Sequence, residues 1–301
     1  MKHKPTSLLI FFLVVITTSF TSNNKTKTTL VSNNSTINTE ILLTKGKTKS
    51  LKIASWNIRD LGRTKDAQEI LKIAKILKDF DIVAIQEVVA KDPAGAQAVA
   101  KIADELNRMD SKWDYRISDP TKSPSVYISE RYAFLWKTSK VKLTNRAYLD
   151  SELEDVCFRE PFIGKFQLKN NTEPFYVINF HSRKFDDNPE QEIIFLKEYS
   201  TRLNSDNILI LGDFNLNETH EVWDNLYNRG FNPALNNTKT TLKTKCKNGN
   251  YLNHHIDNIY YSKNIIPIHS GAIDFVNTCS NLEIARGLSD HLPVYLEYSL
   301  N

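Results

Sequence analysis

Ile208 to Asn215 reads ILILGDFN. Four aliphatic residues in a row leave no side for water, so the run is a strand buried on both faces. Within four residues of its last aliphatic position it delivers Asp213 and Asn215. Burying a neutral polar group without a partner costs roughly 2–7 kcal/mol, and a bare charge costs more. The same grammar recurs along the chain. Asn57 ends the first apolar run in IASWNIRD, Glu87 ends the next in IVAIQEVV, and His181 ends FYVINFHS. Asp257 lies in HHIDNIYY, and Asp290 with His291 opens the last run, LPVYLEYSL. Any one of these reads as a capped strand or a turn. Six strand ends of one kind read as a shared polar site at one edge of a sheet sandwich.

Outward from these strands, apolar runs alternate with helical patterns. In TKDAQEILKIAKILKDF, residues Ala67, Ile70, Leu71, Ala74 and Leu77 fall on one helical face, and AGAQAVAKIADELNRM predicts a second helix. Strand-like runs RYAFLWK, KVKLTNRAYL, PFIGKFQLK and PFYVINFHS follow, and NPEQEIIFLKEYSTRLN returns to helix. A helix is expected near His220 to Arg229. A Lys/Thr/Asn-rich loop from Asn236 to His255 then leads into the closing strands. Units of βαβ type mixed with long meanders predict two packed sheets with helices over their outer faces, in one domain.

The chain has 301 residues, 41% of them hydrophobic, enough for a sizeable core. Its start differs from the rest. Lys2 and Lys4, an apolar run from Leu8 to Ile16 and small residues near Ser19 to Ser22 have the layout of a secretory signal peptide. The run is shorter than the roughly 20 residues a membrane span needs. The expected organisation is a signal peptide over 1–22, a flexible Asn/Thr/Lys-rich linker over 23–50 and a catalytic domain over 51–301, with a secreted or periplasmic destination. An uncleaved anchor is the alternative. A net charge of +4, two units of it from Lys2 and Lys4, does not announce nucleic acid by itself. Cys157, Cys246 and Cys279 make no dense disulfide framework and suggest no metal site; one bridge or none is open.

Carboxylates and amides without cysteine make a hard oxygen-donor site, suited to Mg²⁺, Mn²⁺ or Ca²⁺. Two histidines with carboxylate partners suit acid–base work near neutral pH. Together they fit cleavage of a phosphate ester.

LKIASWNIRDLG, DIVAIQEVV, SERYAFLWK, FREPFIGKF, NFHS, LILGDFN, IDNIYYS and SDHLPV resemble the endonuclease/exonuclease/phosphatase superfamily, in particular its pancreatic deoxyribonuclease branch. The resemblance implies an α/β four-layer sandwich of two packed mixed or antiparallel sheets flanked by helices. It implies His181 and His291 as the acid–base pair, oriented by Glu130 and Asp257. Glu87 would bind the divalent cation with Asn57 and Asp290 beside it, and Asp213 and Asn215 would position phosphate, water or a second metal. Arg159 would hold a backbone phosphate and Arg59 would reach the substrate. Mg²⁺ or Mn²⁺ would be the working ion, with Ca²⁺ in a structural place. The expected partner is nucleic acid, DNA foremost and RNA besides, cut to 5′-phosphate and 3′-hydroxyl ends. A monomer without stable membrane association is expected.

The chain departs from that branch at Val89, which stands where an arginine enters the minor groove. Ile128 stands at the place of a groove-stacking tyrosine, with Tyr127 beside it, and both of the branch's disulfides are missing. Lys239, Lys243, Lys245 and Lys247 offer phosphate contacts in compensation. The alternative activity is a sphingomyelinase-like or other phosphodiesterase of the same fold. It calls for an exposed aromatic hairpin, which the sequence does not display clearly.

Overall fold

The computed structural model describes residues 50–301. The expected signal peptide, and the linker up to residue 49, lie outside the described residues. Fifteen strands follow in chain order. They begin with β1 (Leu51–Leu61), β2 (Ile82–Val89), β3 (Trp113–Ile117), β4 (Glu130–Lys137), β5 (Val141–Leu143), β6 (Tyr148–Leu149), β7 (Phe162–Leu168) and β8 (Pro174–His181). β9 (Ile208–Asp213), β10 (Asn232–Pro233), β11 (Leu242–Lys247), β12 (Asn250–Leu252), β13 (Asp257–Tyr261), β14 (Ile265–Ala272) and β15 (Val294–Leu300) complete the set.

Two large sheets result. The first runs β14-β15-β1-β2-β4-β3, and the second runs β10-β13-β9-β8-β7-β5 with β6 on β7. Each sheet is antiparallel except for one parallel pair, β1–β2 in the first and β8–β9 in the second. A parallel pair needs a crossover. Helix α1 (Ala67–Leu77) supplies the first crossover. It begins at a reciprocal cap in which Glu69 N donates to Asp66 Oδ1 (2.8 Å) and Asp66 N donates to Glu69 Oε2 (2.9 Å). Helix α2 (Ala94–Asn107) packs beside it.

Strand alternation sorts the core into layers. From β1, Leu51 and Ile53 face the second sheet together with Phe134, Phe166, Phe175 and Leu211. Ala54, Trp56 and Ile58 face the helices, meeting Ile73, Leu77, Val99 and Ile102. The far side of the second sheet packs Phe180, Ile210 and Tyr260 on Leu196, Tyr199 and Trp223. The order is therefore helix, sheet, sheet, helix, as expected. Each fully buried large aliphatic or aromatic side chain contributes about 1.5–3 kcal/mol.

Three local expectations need correction. The segment from Pro189 to Arg202 is not one helix but two four-residue α turns, Glu190–Ile193 and Tyr199–Arg202, joined by the 3-10 turn Ile194–Glu198. The Lys-rich stretch is not a plain loop: β11 and β12 form a hairpin outside both sheets. Its turn is Asn248–Gly249 with φ of 51° and 75°, the conformation an Asn-Gly hairpin turn requires. A further helix, Leu282–Leu288, precedes the last strand. Of the three cysteines, Cys246 and Cys279 form a disulfide and Cys157 is free and buried.

Candidate active site

Asn57 does not end β1, which continues to Leu61. The β1–β2 ladder slips between Asn57 and Leu61, and the β2–β4 ladder slips between Ile85 and Val88. Such bulges re-aim side chains. Glu87 sits in the second bulge with φ 59°, and Asp60 and Asn215 adopt φ of 51° and 53°. Left-handed backbone at non-glycine residues costs about 1–3 kcal/mol and persists where the surroundings enforce it. Gly212, at φ 150°, stands where a Cβ would overlap the Phe180 carbonyl of β8. That close approach sets the ends of β8 and β9 side by side, with His181 registered against Asp213.

Two histidine–carboxylate pairs form. His181 Nδ1 lies 3.0 Å from Glu130 Oε2, and His291 Nδ1 lies 2.9 Å from Asp257 Oδ2. The opposite ring nitrogens converge, since His181 Nε2 and His291 Nε2 stand 3.5 and 3.7 Å from the same Asp213 oxygen. Asn57 Nδ2 donates to Asp213 Oδ2 (3.1 Å) and to Glu87 Oε1 (2.9 Å). Asn215 N donates to Asp213 Oδ1 (3.0 Å). Thus Asn57, Glu87, Glu130, His181, Asp213, Asn215, Asp257 and His291 share one connected site.

Burial and Arg159 oppose a charged His181, yet Glu130 and Asp213 outweigh them and hold the imidazole above its ordinary value. Burial also opposes ionised Glu130, but His181 and Arg159 keep the carboxyl below the usual range. His291 is desolvated too, and Asp257 with Asp213 still raises it to about 10. Asp257 itself is pushed up by burial against the pull of His291. In this pair two carboxylates face one ring, which favours its protonated form.

Cation donors are present. Asn57 Oδ1 is buried without a protein partner, next to the Glu87 carboxylate. An orphaned amide oxygen beside a carboxylate fits a hard divalent ion. Ligand atoms of Asp213, Asp257 and His291 also lie within 4.8 Å of one another. Asp290 is placed differently. Its Oδ2 is 3.5 Å from Arg59 Nη1 and 3.5 Å from Arg286 Nη2, on the side of a neighbouring cavity. Arg159 is buried, ion-paired to Glu130 (3.0 Å), and it donates to the Ser182 carbonyl (3.0 Å).

Several supporting groups escaped sequence reasoning. Thr240 Oγ1 donates to Asp257 Oδ2 at 2.6 Å, from a low-complexity stretch that gave no signal. Ser289 Oγ donates to the Asn57 carbonyl (2.6 Å) and accepts from His291 N (3.0 Å). It is the first residue of the SDH triplet, where a caps-and-turns reading would have flagged it. Gln86 Nε2 donates to Asn179 Oδ1 at 2.6 Å, joining the two sheets under the site.

The catalytic cavity, about 600 Å³, is lined by Glu87, Arg159, His181, Asp213, Asn215 and His291. A second cavity of about 400 Å³ shares Glu87 and Arg159 and is rimmed by Val126 and Tyr127, which are 71% and 89% exposed. A third, about 380 Å³, shares His254, Ile256 and His291 and is walled by Lys243 and Arg286.

A buried cleft at one edge of a two-sheet sandwich, with paired imidazoles and oxygen donors, defines a hydrolase of phosphoesters. The comparisons agree. Residues 54–291 match the Endonuclease/Exonuclease/phosphatase family. Deoxyribonuclease-1-like 1 of Sus scrofa is 30% identical over 86% of this chain and 84% of its own length. A deoxyribonuclease of Thioalkalivibrio is 28% identical over 87% of this chain and 74% of its own. Among solved structures, an endonuclease/exonuclease/phosphatase family protein from Bacteroides thetaiotaomicron superposes with a TM-score of 0.61 at 17% identity. The match covers 84% of this chain and 98% of that one. The chain belongs to the endonuclease/exonuclease/phosphatase family.

Proposed function

We propose that this protein is an exported, divalent-metal-dependent endonuclease that hydrolyses nucleic-acid phosphodiesters, DNA foremost, leaving 5′-phosphate and 3′-hydroxyl ends. The observation that carries the reading is the convergence of two carboxylate-bound imidazoles on one Asp213 oxygen, at 3.5 and 3.7 Å. That arrangement leaves two Nε2 atoms, each held by an Nδ1 contact, facing one small space. A scissile phosphate there meets both. Water oxygen bonds to phosphorus and the bond to O3′ breaks. One Nε2 takes the proton from water while the other gives its proton to O3′, and the rings re-equilibrate with solvent.

Glu130 and Asp257 hold the rings in place and stabilise the imidazolium forms. Glu87 with Asn57 would hold Mg²⁺ or Mn²⁺, which when bound offsets the charge of the phosphate, while Asp290 faces Arg59 and Arg286 beside the neighbouring cavity. Asp213 and Asn215 orient phosphate and water. Arg159 and Arg59 offer positive charge to flanking phosphates. Export rests on the N-terminal pattern in the sequence. The deoxyribonuclease names of the relatives support DNA as substrate.

Plasmid nicking in Mg²⁺, with and without Ca²⁺ and against an EDTA control, tests this. EDTA is expected to abolish nicking, and His181→Ala and His291→Ala each to lower turnover by about 10²–10⁴-fold. A folded wild-type protein that leaves plasmid intact in every metal sinks the reading. A second reading, phospholipid diester cleavage, draws on the exposed Val126 and Tyr127 at the rim. Hydrolysis of sphingomyelin vesicles in place of DNA would establish it.

A further inference from the structure

The hairpin β11–β12 belongs to neither sheet, and a two-stranded ribbon alone is marginal in water. Here it is mounted at both ends. At its base Leu242 N donates to the Asp290 carbonyl (2.7 Å), and Arg286 Nη1 donates to the Leu242 carbonyl (2.8 Å). Thr241 bridges His291. Toward its tip Cys246 is bonded to Cys279. Leu242 and Cys246 turn inward onto a small core with Val276, Leu282 and Leu292.

The β11–β12 ladder slips between Leu242 and Lys247, and the segment that bulges there carries Lys243, exposed Thr244 and Lys245, with Lys247 next to the turn. Lys245 and Lys247 are exposed and Lys243 half-exposed. None of the three forms an ion pair with a carboxylate among the described residues. Lys243 lines the third cavity, which has His254, Ile256 and His291 in common with the wall of the catalytic one. Three ammonium groups without a carboxylate partner thus stand on a braced arm, and the first of them lines a cavity adjoining the phosphodiester site.

We propose that this disulfide-mounted hairpin is a phosphate-binding arm. Lys243, Lys245 and Lys247 grip the backbone of a polynucleotide beyond the scissile bond, so the enzyme favours a long chain over an isolated diester. The inference rests on the nuclease reading and names the polymer it acts on. The arm acts through charge on phosphates, so it carries no base preference. A lipid surface fits less well, because the exposed face of β11 presents lysines and threonine with no large apolar residue between them.

The test uses the full chain and a triple variant, Lys243→Gln, Lys245→Gln and Lys247→Gln, changed only on exposed or half-exposed positions. DNA affinity is measured in EDTA by fluorescence anisotropy over a salt series, and turnover in Mg²⁺ with plasmid and with thymidine 5′-p-nitrophenyl phosphate. Each phosphate contact contributes about 0.7–0.9 to the slope of log K against log salt, so losing three reduces it by about 2–3. The small diester is expected to turn over at the wild-type rate, while KM for plasmid rises. A folded triple variant with an unchanged salt slope overturns the arm and leaves the nuclease reading standing. A wild-type chain that neither binds nor cleaves DNA overturns both. Lysine-dependent binding to phosphatidylserine vesicles without lysine-dependent binding to DNA assigns the face to a membrane and overturns the proposal.

Discussion

Glu130→Gln separates orientation from stability at the site. The carboxylate is buried and meets two cationic partners, with Oε2 at 3.0 Å from Arg159 Nε and 3.0 Å from His181 Nδ1. Gln keeps the shape and removes the charge. Arg159 is itself only 8% exposed, so its guanidinium is left buried without a counter-ion. Breaking a buried pair from one side costs about 3–5 kcal/mol. At about 2–4 °C per kcal/mol for a domain of this size, a 4 kcal/mol loss lowers Tm by about 8–16 °C. Turnover falls separately, by about 10²–10⁴, because His181 loses the partner that orients its ring and stabilises its protonated form. Thermal melts and nicking assays run well below the variant's Tm read the two effects independently. Adding Arg159→Met to Glu130→Gln removes both charges and is expected to recover most of the stability. It should recover none of the turnover. A single variant that melts within about 1 °C of wild type, or a double variant that regains activity, refutes this account of the pair.

Thr240→Val removes a buried hydroxyl that donates to Asp257 Oδ2 (2.6 Å) and accepts from Asp257 N (3.2 Å). A loss of about 1–3 kcal/mol is expected by thermal melt, with reduced turnover that Thr240→Ser restores. Burial pushes the Cys157 thiol well above its ordinary value. It should therefore resist thiol reagents at neutral pH in the folded protein. Unfolding without reductant should expose one thiol per chain, and unfolding with reductant three. Two extra thiols without reductant would rule out the Cys246–Cys279 bridge.

The sandwich was legible because its strands are short apolar runs and its two long helices are amphipathic, the first opening on the Asp66–Glu69 cap. Much of the site was legible for a related reason: His181, Asp213 and Asp257 stand where buried strands begin or end. Asn57 and Glu87 were found by type but misplaced in detail. They lie in ladder slips, and a bulge depends on the partner strand, which a linear pattern does not contain. The stretch Pro189 to Arg202 carries enough apolar residues for a helix, yet it folds as single turns that still set Ile193, Leu196 and Tyr199 against the second sheet. The hairpin of β11 and β12 did leave a mark, the Asn248–Gly249 dipeptide, hidden within a Lys/Thr/Asn-rich composition that suggested a loop. Thr240 left none, since its partners are distant in sequence, Asp257 being 17 positions away.

Each histidine–carboxylate pair takes one member from each sheet. Glu130 stands on β4 of the first and His181 on β8 of the second; Asp257 stands on β13 of the second, and His291 immediately precedes β15 of the first. Catalytic competence is therefore a reading of how the two halves of the sandwich are docked, not a property of either half. Sliding one sheet by an ångström breaks both pairs at once, and no fragment holding a single sheet retains even one of them. The interface packed by Phe134, Phe166 and Phe175 works as the gauge block of the active site, and a substitution there can silence the enzyme without touching a residue of the cleft.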